Sequence, residues 1–310
     1  MALAALSEDE QRIVFLQLCN ALAPCVAVNF ISASSGLRAS TLALRQQLRA
    51  DNEVATALCH KVWRMASCKK LREAMEVHWI YPKLTGAELA TLGKLGSVLP
   101  ALEALTLLEG SVAAVPEGMQ WLAEELGAGA LPAMNSLVLS RVHVGNAGAP
   151  ALAAALGRGA LPRLKVLQLA NAALSDAGLV ALAPALRRLP ALETLDLKCN
   201  PFGDDGLAAL VAPPSPASAP PPTGVLTKLK KLDLFCTQVT DAGCATLASA
   251  LDSGRLPALE MIELFGIPAS AAATNKALAK AKAAVSLRAI LAAVHRTRQN
   301  TDLAAALALG

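Results

Sequence analysis

Apolar residues through the middle of the chain fall into a phrase of fixed form, Leu-Pro-x-Leu-x-x-Leu-x-Leu. It reads LPALEALTL from Leu99, LPAMNSLVL from Leu131, LPRLKVLQL from Leu161, LPALETLDL from Leu189, LTKLKKLDL from Leu226 and LPALEMIEL from Leu256. Successive starts lie about thirty residues apart, with the widest gap between Leu189 and Leu226. The closing Leu-x-Leu step has the period of two that a strand with one buried face requires, and the residues beyond it switch to helical spacing. In the unit from Leu161, a strand at Leu167 and Leu169 leads through Leu174-Ser175-Asp176-Ala177-Gly178-Leu179 to apolar Leu182, Ala183 and Leu186. The pattern predicts short parallel strands beginning near Ala104, Ser136, Val166, Thr194, Lys231 and Met261, each followed by a helix on the outer face. A unit this small cannot bury its apolar face alone, so the units must stack on one another as a solenoid.

The helix entries repeat with the strands. Ser175 or Asp176 precedes an apolar run and supplies a side-chain oxygen to the free amides of a first helical turn. The same slot holds Gly145-Asn146, Gly203-Asp204 and Thr240-Asp241, and a glycine follows shortly after at Gly148, Gly178, Gly206 and Gly243, where a missing side chain lets the helix start approach the adjoining unit. A worn unit precedes the clear ones. Leu84 to Leu92 matches the helix entry from Leu174 to Leu182, and Leu71 would begin its strand.

The phrase, its spacing and a full helix per unit resemble the leucine-rich repeat family, in its ribonuclease-inhibitor-like class, over roughly residues 70 to 285. The resemblance implies an α/β solenoid, a horseshoe with parallel strands on the concave face and helices on the convex face. The asparagine that the family places after the strand is mostly missing. Its slot holds Gly110, Val142, Ala172, Asn200, Thr237 and Ile267, so the side-chain ladder that satisfies backbone amides at the bend is expected once.

The chain of 310 residues is 54% hydrophobic and only 3% aromatic, which suits thin repeated layers better than one thick core. A net charge of +4 does not by itself point to nucleic acid or to an anionic membrane. The longest charge-free stretch, Gly206 to Thr227, is broken by six prolines and cannot span a bilayer. Glu8, Asp9 and Glu10 follow a short apolar start with no basic segment, against a signal or transit peptide. Seven scattered cysteines without a Cys-x-x-Cys pair favour reduced thiols in the cytosol or nucleus. Cys199 and Cys236 follow their strands by the same offset; such a pair could take a metal or oxidise, and the reading adopted is two small side chains buried under the bend. The segment 212–224, APPSPASAPPPTG, accounts for the wide gap and reads as a solvated extended loop.

The N-terminal sequence is of another kind. Ser7-Glu8-Asp9-Glu10 fits a capping box opening a helix through Ile13, Val14, Leu16, Leu18 and Leu22; Pro24 breaks it, and Val26, Val28, Phe30 and Ile31 follow. Residues 40–50 and 52–66 read as two amphipathic helices. Leu6, Asp9, Val14, Phe15 and Leu18, with Pro24, Phe30, Ser34 and Leu37, are similar to the F-box, the motif that docks on the adaptor of cullin-type ubiquitin ligases. Ser7, Glu10, Gln11, Val26-Ala27 and Leu37 depart from its pattern. Two readings of this module stay open: an F-box, or a helical cap over the first repeat. The implied order is a helical module at 1–67, repeats at 68–285 and a helical cap or tail at 286–310. That last segment carries Arg288, Arg296 and Arg298 beside an apolar stripe of Leu287, Ile290, Leu291 and Val294.

No arrangement of catalytic residues is found: His60, His78, His143 and His295 are isolated, and no phosphate-binding glycine loop or metal-ligand spacing occurs. No cofactor and no metal are implied. The residues between the strand leucines are Thr106, Val138, Gln168, Asp196, Asp233 and Glu263, and those after the second leucine are Leu108, Ser140, Ala170, Lys198, Phe235 and Phe265. These columns face away from the helices. Toward the C-terminal end they form an acidic stripe beside two stacked phenylalanines, with Lys198 and Lys231 adjoining, and exposed aromatics flanked by charge are typical of interface anchors. The expectation is a non-catalytic scaffold that binds a protein through Asp196, Lys198, Lys231, Asp233, Phe235, Glu263 and Phe265. Its most concrete version is the substrate-recognition subunit of a cullin-type ubiquitin ligase. The alternatives are a regulator or structural subunit without ligase role and, less favoured, a hydrolase or transferase in the N-terminal region. A nucleic-acid or membrane partner is not expected.

Overall fold

The computed structural model describes residues 7, 9–10, 13–15, 19–32, 41–61, 67–81, 83–109, 118–127, 129–212 and 226–286. They belong to two compact units, Met1–Leu164 and Lys165–Gly310. The Pro-rich loop beyond Ala212, the F-box positions Leu6, Leu18, Ser34 and Leu37, and the basic stripe from Leu287 onward lie outside the described residues.

The first unit opens with helices α1 (Cys25–Ser32), α2 (Leu42–Lys61) and α3 (Cys68–Glu73). Strands and helices then alternate: β1 (Glu76–Ile80), α4 (Gly86–Leu95), β2 (Ala104–Leu108), α5 (Gly118–Glu125), β3 (Ser136–Ser140) and α6 (Gly145–Gly157). β1, β2 and β3 run parallel, with Val77, Leu105 and Leu137 in one row and Trp79, Leu107 and Leu139 in the next. The second unit continues the alternation with β4 (Val166–Gln168), α7 (Asp176–Leu186), β5 (Thr194–Asp196), α8 (Asp204–Val211), β6 (Lys231–Asp233), α9 (Asp241–Asp252) and β7 (Met261–Glu263). A further helix covers residues 271–286, here α10. Leu167, Leu195, Leu232 and Ile262 stand in register across its parallel strands. The fold is an α/β leucine-rich-repeat solenoid with a small helical region at its N-terminal end.

All six strands begin at the residues the phrase predicts, because the fourth position of the phrase and both of its strand positions are buried in every repeat. Leu102, Met134, Leu164, Leu192, Leu229 and Leu259 are almost wholly inaccessible, as are both strand leucines of each phrase. Each buried leucine contributes roughly 2 kcal/mol relative to exposure. The worn unit differs in one respect. Its strand starts at Glu76, while Leu71 sits buried in α3, filling the position that opens the phrase elsewhere and not the strand itself.

Backbone groups at the bends are satisfied in three ways. Asn200, buried, donates from Nδ2 to the carbonyls of Leu169, Leu197 and Lys198 and accepts at Oδ1 from the amides of Ala172 (2.9 Å) and Leu174 (3.0 Å), tying two successive repeats together. In the first unit the buried carboxylate of Glu109 accepts from the amide of Leu84, the position equivalent to Leu174. Thr237 fills the asparagine slot of the next bend and donates its hydroxyl to Leu234. The acidic residues that open α7, α8 and α9 form a separate ladder. Asp176 accepts from the amides of Gly203 and Gly206, Asp204 from the amide and hydroxyl of Thr240, and Asp241 from the amide and hydroxyl of Ser270. A carboxylate here meets the unpaired amides of the next helix start. The closeness explains the glycines, since a Cβ on Gly206 would stand 2.9 Å from Asp176 Oδ1 and one on Gly148 equally near Met119.

The helical module differs from expectation in one respect. Residues 42–61 form a single helix where two were expected. Asp51 and Asn52 do not interrupt it, because Asp51 accepts from Gln47 one turn earlier and Asn52 reaches out to the carbonyl of Ala21. The capping box of Ser7 and Glu10 is present, with each backbone amide bonded to the other's side chain. Phe15, Ala27, Ile31 and Leu48 make a small core of their own. The end of α2 is fastened to the first repeat by Trp79 Nε1, which donates to the carbonyl of Leu58, and by Lys61, whose ammonium lies 2.7 Å from Glu88. Glu88 also completes a capping box with Thr85 at the start of α4.

Two outcomes follow for stability. Asn200→Ala strands the amides of Ala172 and Leu174 and the carbonyls it serves, and is expected to cost about 3 kcal/mol in urea unfolding. For Glu88, burial pushes the carboxyl up, but the hydrogen bonds from Lys61 and Thr85 outweigh it and hold the group below its ordinary value. A carboxylate lowered in the folded state adds stability that is present above its unfolded pKa and lost as pH falls through the folded one. Lys61→Gln is therefore expected to be less stable than the unsubstituted chain at neutral pH, with the gap closing as acid protonates Glu88 in both.

Candidate functional site

The strands of the second unit set Gln168, Asp196, Asp233 and Glu263 side by side on the sheet face turned away from the helices. Each of the three acids does the same local work. Asp196 Oδ1 accepts from the amide of Lys198 (3.1 Å), Asp233 Oδ1 from that of Phe235 (3.1 Å) and Glu263 Oε1 from that of Phe265 (3.2 Å). This side-chain turn fixes the backbone just beyond each strand and sends the residue two places on away from the sheet at one angle. Phe235 and Phe265 consequently stack, with ring centroids 5.8 Å apart and planes inclined by 16°.

The acidic stripe is not the exposed feature that the column of residues implied. Asp196 is 5% exposed and Asp233 9%, and only Glu263 is open to solvent. Lys198 closes over the first, with Nζ 3.0 Å from Asp196 Oδ2. That hydrogen bond, together with the charges of Asp196 and Asp233, raises the lysine above its ordinary value despite partial burial. What the face presents is the ring of Phe265, 73% exposed, with half-buried Phe235 behind it and Lys231, Glu263 and Met261 around it. Helix α10 does not cover the rings. A shallow cavity of about 350 Å³ opens beside Phe265, lined by Glu263, Gly266, Ile267, Ala271 and Leu278. Met261, 54% exposed, was missed in the sequence; its signal was its place before the buried strand residue, in register with Lys231 and Thr194.

The position three residues after each member of the column, Gln168 included, takes a left-handed backbone, with φ of 52° at Asn171, 55° at Cys199, 52° at Cys236 and 75° at Gly266. This reversal carries the side chain outward and turns the next residue, such as Asn200 or Thr237, into the interior. Cys199 and Cys236 are therefore exposed, and the expectation that they lie buried under the bend is corrected. Among the described residues no group of three or more His, Cys, Asp or Glu side chains could hold a metal ion. Three of the four histidines are described: His60 and His78 are exposed and His143 half-buried, and His78 Nδ1 pairs with Thr106 Oγ1 at 3.0 Å across β1 and β2. Aromatic rings held rigidly on a sheet beside mixed charges suit recognition of a surface.

Three stretches, residues 161–183, 189–211 and 225–248, match the leucine-rich repeat family model. They are the three successive repeats that carry the acid ladder and lead up to the aromatic stack. No curated protein matches the chain. Among solved structures, the crystal structure of a Bacteroides fragilis protein is similar over 68% of this chain, at 16% identity and a TM-score of 0.40. The chain spans 65% of that structure's length. Strand-and-helix repeats of this kind form a leucine-rich-repeat solenoid, and the second unit is similar to the leucine-rich repeat family over those three stretches. Among the described residues no helix is long and apolar enough to cross a membrane.

Because Asp233 holds the turn that aims Phe235, Asp233→Ala is expected to leave the stack disordered. Near-ultraviolet circular dichroism of Asp233→Ala should lose phenylalanine fine structure, whereas Asp233→Asn, which keeps the accepting oxygen, should retain it.

Proposed function

We propose that the protein is a non-catalytic interaction scaffold, a regulator or structural subunit of a larger assembly, that engages a protein partner through the open sheet face of its second unit. The contact set is Asp196, Lys198, Lys231, Asp233, Phe235, Glu263 and Phe265. In it the two rings are the anchors, Lys231 and Glu263 form the charged rim, and Asp196, Asp233 and Lys198 hold the geometry. The observation that carries this reading is the stacked pair itself, since a ring as exposed as Phe265 adds little to folding and is costly to leave in water without a use. Truncating an anchoring aromatic in an interface typically costs about 2 kcal/mol or more of binding. Phe235→Ala combined with Phe265→Ala is expected to weaken capture of the cellular partner at least tenfold while moving the thermal midpoint only slightly. A large loss of stability with binding unaltered would assign the rings to the core instead.

A second reading adds ubiquitin ligation, the helical module serving as an F-box that recruits the ligase adaptor while the repeats hold the substrate. It is supported by exposed apolar side chains: among the described residues Ile13, Val26, Val28 and Leu42 are each about half exposed, and Val28 and Leu42 line a cavity near 290 Å³ together with Phe15, Pro24, Ile31, Arg45 and Arg49. On this reading, Val26→Glu with Val28→Glu abolishes co-purification of a cullin and its adaptor while the repeats keep their folded spectrum. If the unsubstituted chain recovers neither, the module is only a cap.

A further inference from the structure

Two sulfurs meet where the helical module joins the first repeat. Cys59, in the last turns of α2, is fully buried and donates from Sγ to Cys68 Sγ at 3.7 Å. Cys68 opens α3, is half-buried, and lies 3.6 Å from Thr56 Oγ1. Each is held by its own anchors. The end of α2 is fixed by Trp79 through the carbonyl of Leu58, and by Lys61, which bonds both Glu88 and the carbonyl of Lys83. α3 is fixed by Ser67, which caps it through the amide of Lys70, and by buried Leu71. A disulfide has an S–S length near 2.04 Å, so bond formation needs a closure of about 1.7 Å, within the reach of small side-chain rotations.

We propose that Cys59 and Cys68 form a reversible dithiol–disulfide site, oxidised by a peroxide, that staples the end of α2 to the helix leading into the first repeat strand. Cys68, the accessible sulfur, attacks the peroxide as a thiolate; an S–O bond forms, the O–O bond breaks, and the departing hydroxide takes up a proton to become water. The sulfur of Cys59 then attacks the resulting sulfenic acid. An S–S bond forms, the S–O bond breaks, and the leaving hydroxide takes the Cys59 proton as a second water. Two electrons pass from the pair of sulfurs to the peroxide. Burial, reinforced by the neighbouring Cys68, pushes the Cys59 thiol up to about 12, which assigns it the resolving role and leaves the first attack to Cys68. The staple would close beside the contacts that already join module and repeat, so oxidation hardens a junction where the described hydrogen bonds and the Lys61–Glu88 ion pair act.

The test is peptide mapping of the full chain after graded hydrogen peroxide, with free thiols blocked by N-ethylmaleimide in denaturant. The expected product is a Cys59–Cys68 cross-linked peptide, reversed by dithiothreitol, with a thermal midpoint a few degrees above that of the reduced chain. In Cys68→Ser the same dose should leave Cys59 reduced and the midpoint unmoved. The proposal is overturned if Cys59 stays fully alkylatable after oxidation of the unsubstituted chain, or if Cys68 is recovered only paired with Cys19, Cys25 or the exposed Cys199 and Cys236. It is equally overturned if the cross-link forms without raising the midpoint. Because the mapping uses the natural chain, the result stands even if a cysteine variant folds poorly.

Discussion

The whole structure depends on the lateral burial of strand leucines, each of which can leave water only against the same position of a neighbouring unit. A single repeat offers a three- to five-residue strand and one helix, too little to enclose an apolar core. Stacked in register, Leu167, Leu195, Leu232 and Ile262 shield one another, and so do Val77, Leu105 and Leu137. The parallel direction follows, because every strand is returned to its start by a helix that lies on the same side.

Stacking at this distance creates a second demand, that amides and carbonyls at the turns find partners without water. The family's usual solution, a column of asparagines, is reduced here to Asn200, yet the bends do not collapse. Glu109 takes over the accepting half of the task for Leu84, and Thr237 the donating half for Leu234. The helix starts are served by Asp176, Asp204 and Asp241, each reaching across one repeat. Arginines do the reverse at the helix ends: Arg158 donates to the carbonyls of Ala123 and Leu126, while Arg187 and Arg255 donate to those of Ala212 and Val211. The charges thus complement both ends of the helix dipoles, and a worn consensus is compatible with paired backbone groups at the described bends.

The same economy shapes the sheet face. Asp196, Asp233 and Glu263 form a column of like charge, which would repel if left bare. Their oxygens are occupied by the amides two residues on, and Lys198 covers the first of them. The acids therefore orient the rings instead of offering a negative surface. The aromatic stack becomes the most prominent feature of a face that is otherwise nearly balanced in charge.

The six strand starts, the helix entries and the glycine slots were legible in the sequence, because they arise from periodic burial and from close approach, and both leave a mark at fixed spacing. The rings of Phe235 and Phe265 were legible for the same reason, lying one repeat apart at one offset. Other features were settled only by the tertiary structure. Whether Asp196 faces solvent depends on how Lys198 folds back over it. Whether Cys199 points in or out depends on the sign of one φ angle, and a left-handed residue there leaves no trace in residue type when the position is occupied by Asn, Cys or Gly in turn. The substitution of Glu109 for an asparagine was hidden because its side chain acts from a neighbouring slot. The meeting of Cys59 and Cys68 was hidden because it depends on two helices folding back on each other. Periodicity along a chain records what a residue must bury, while side-chain direction and non-repeating contacts are fixed by neighbours that only the folded chain brings near.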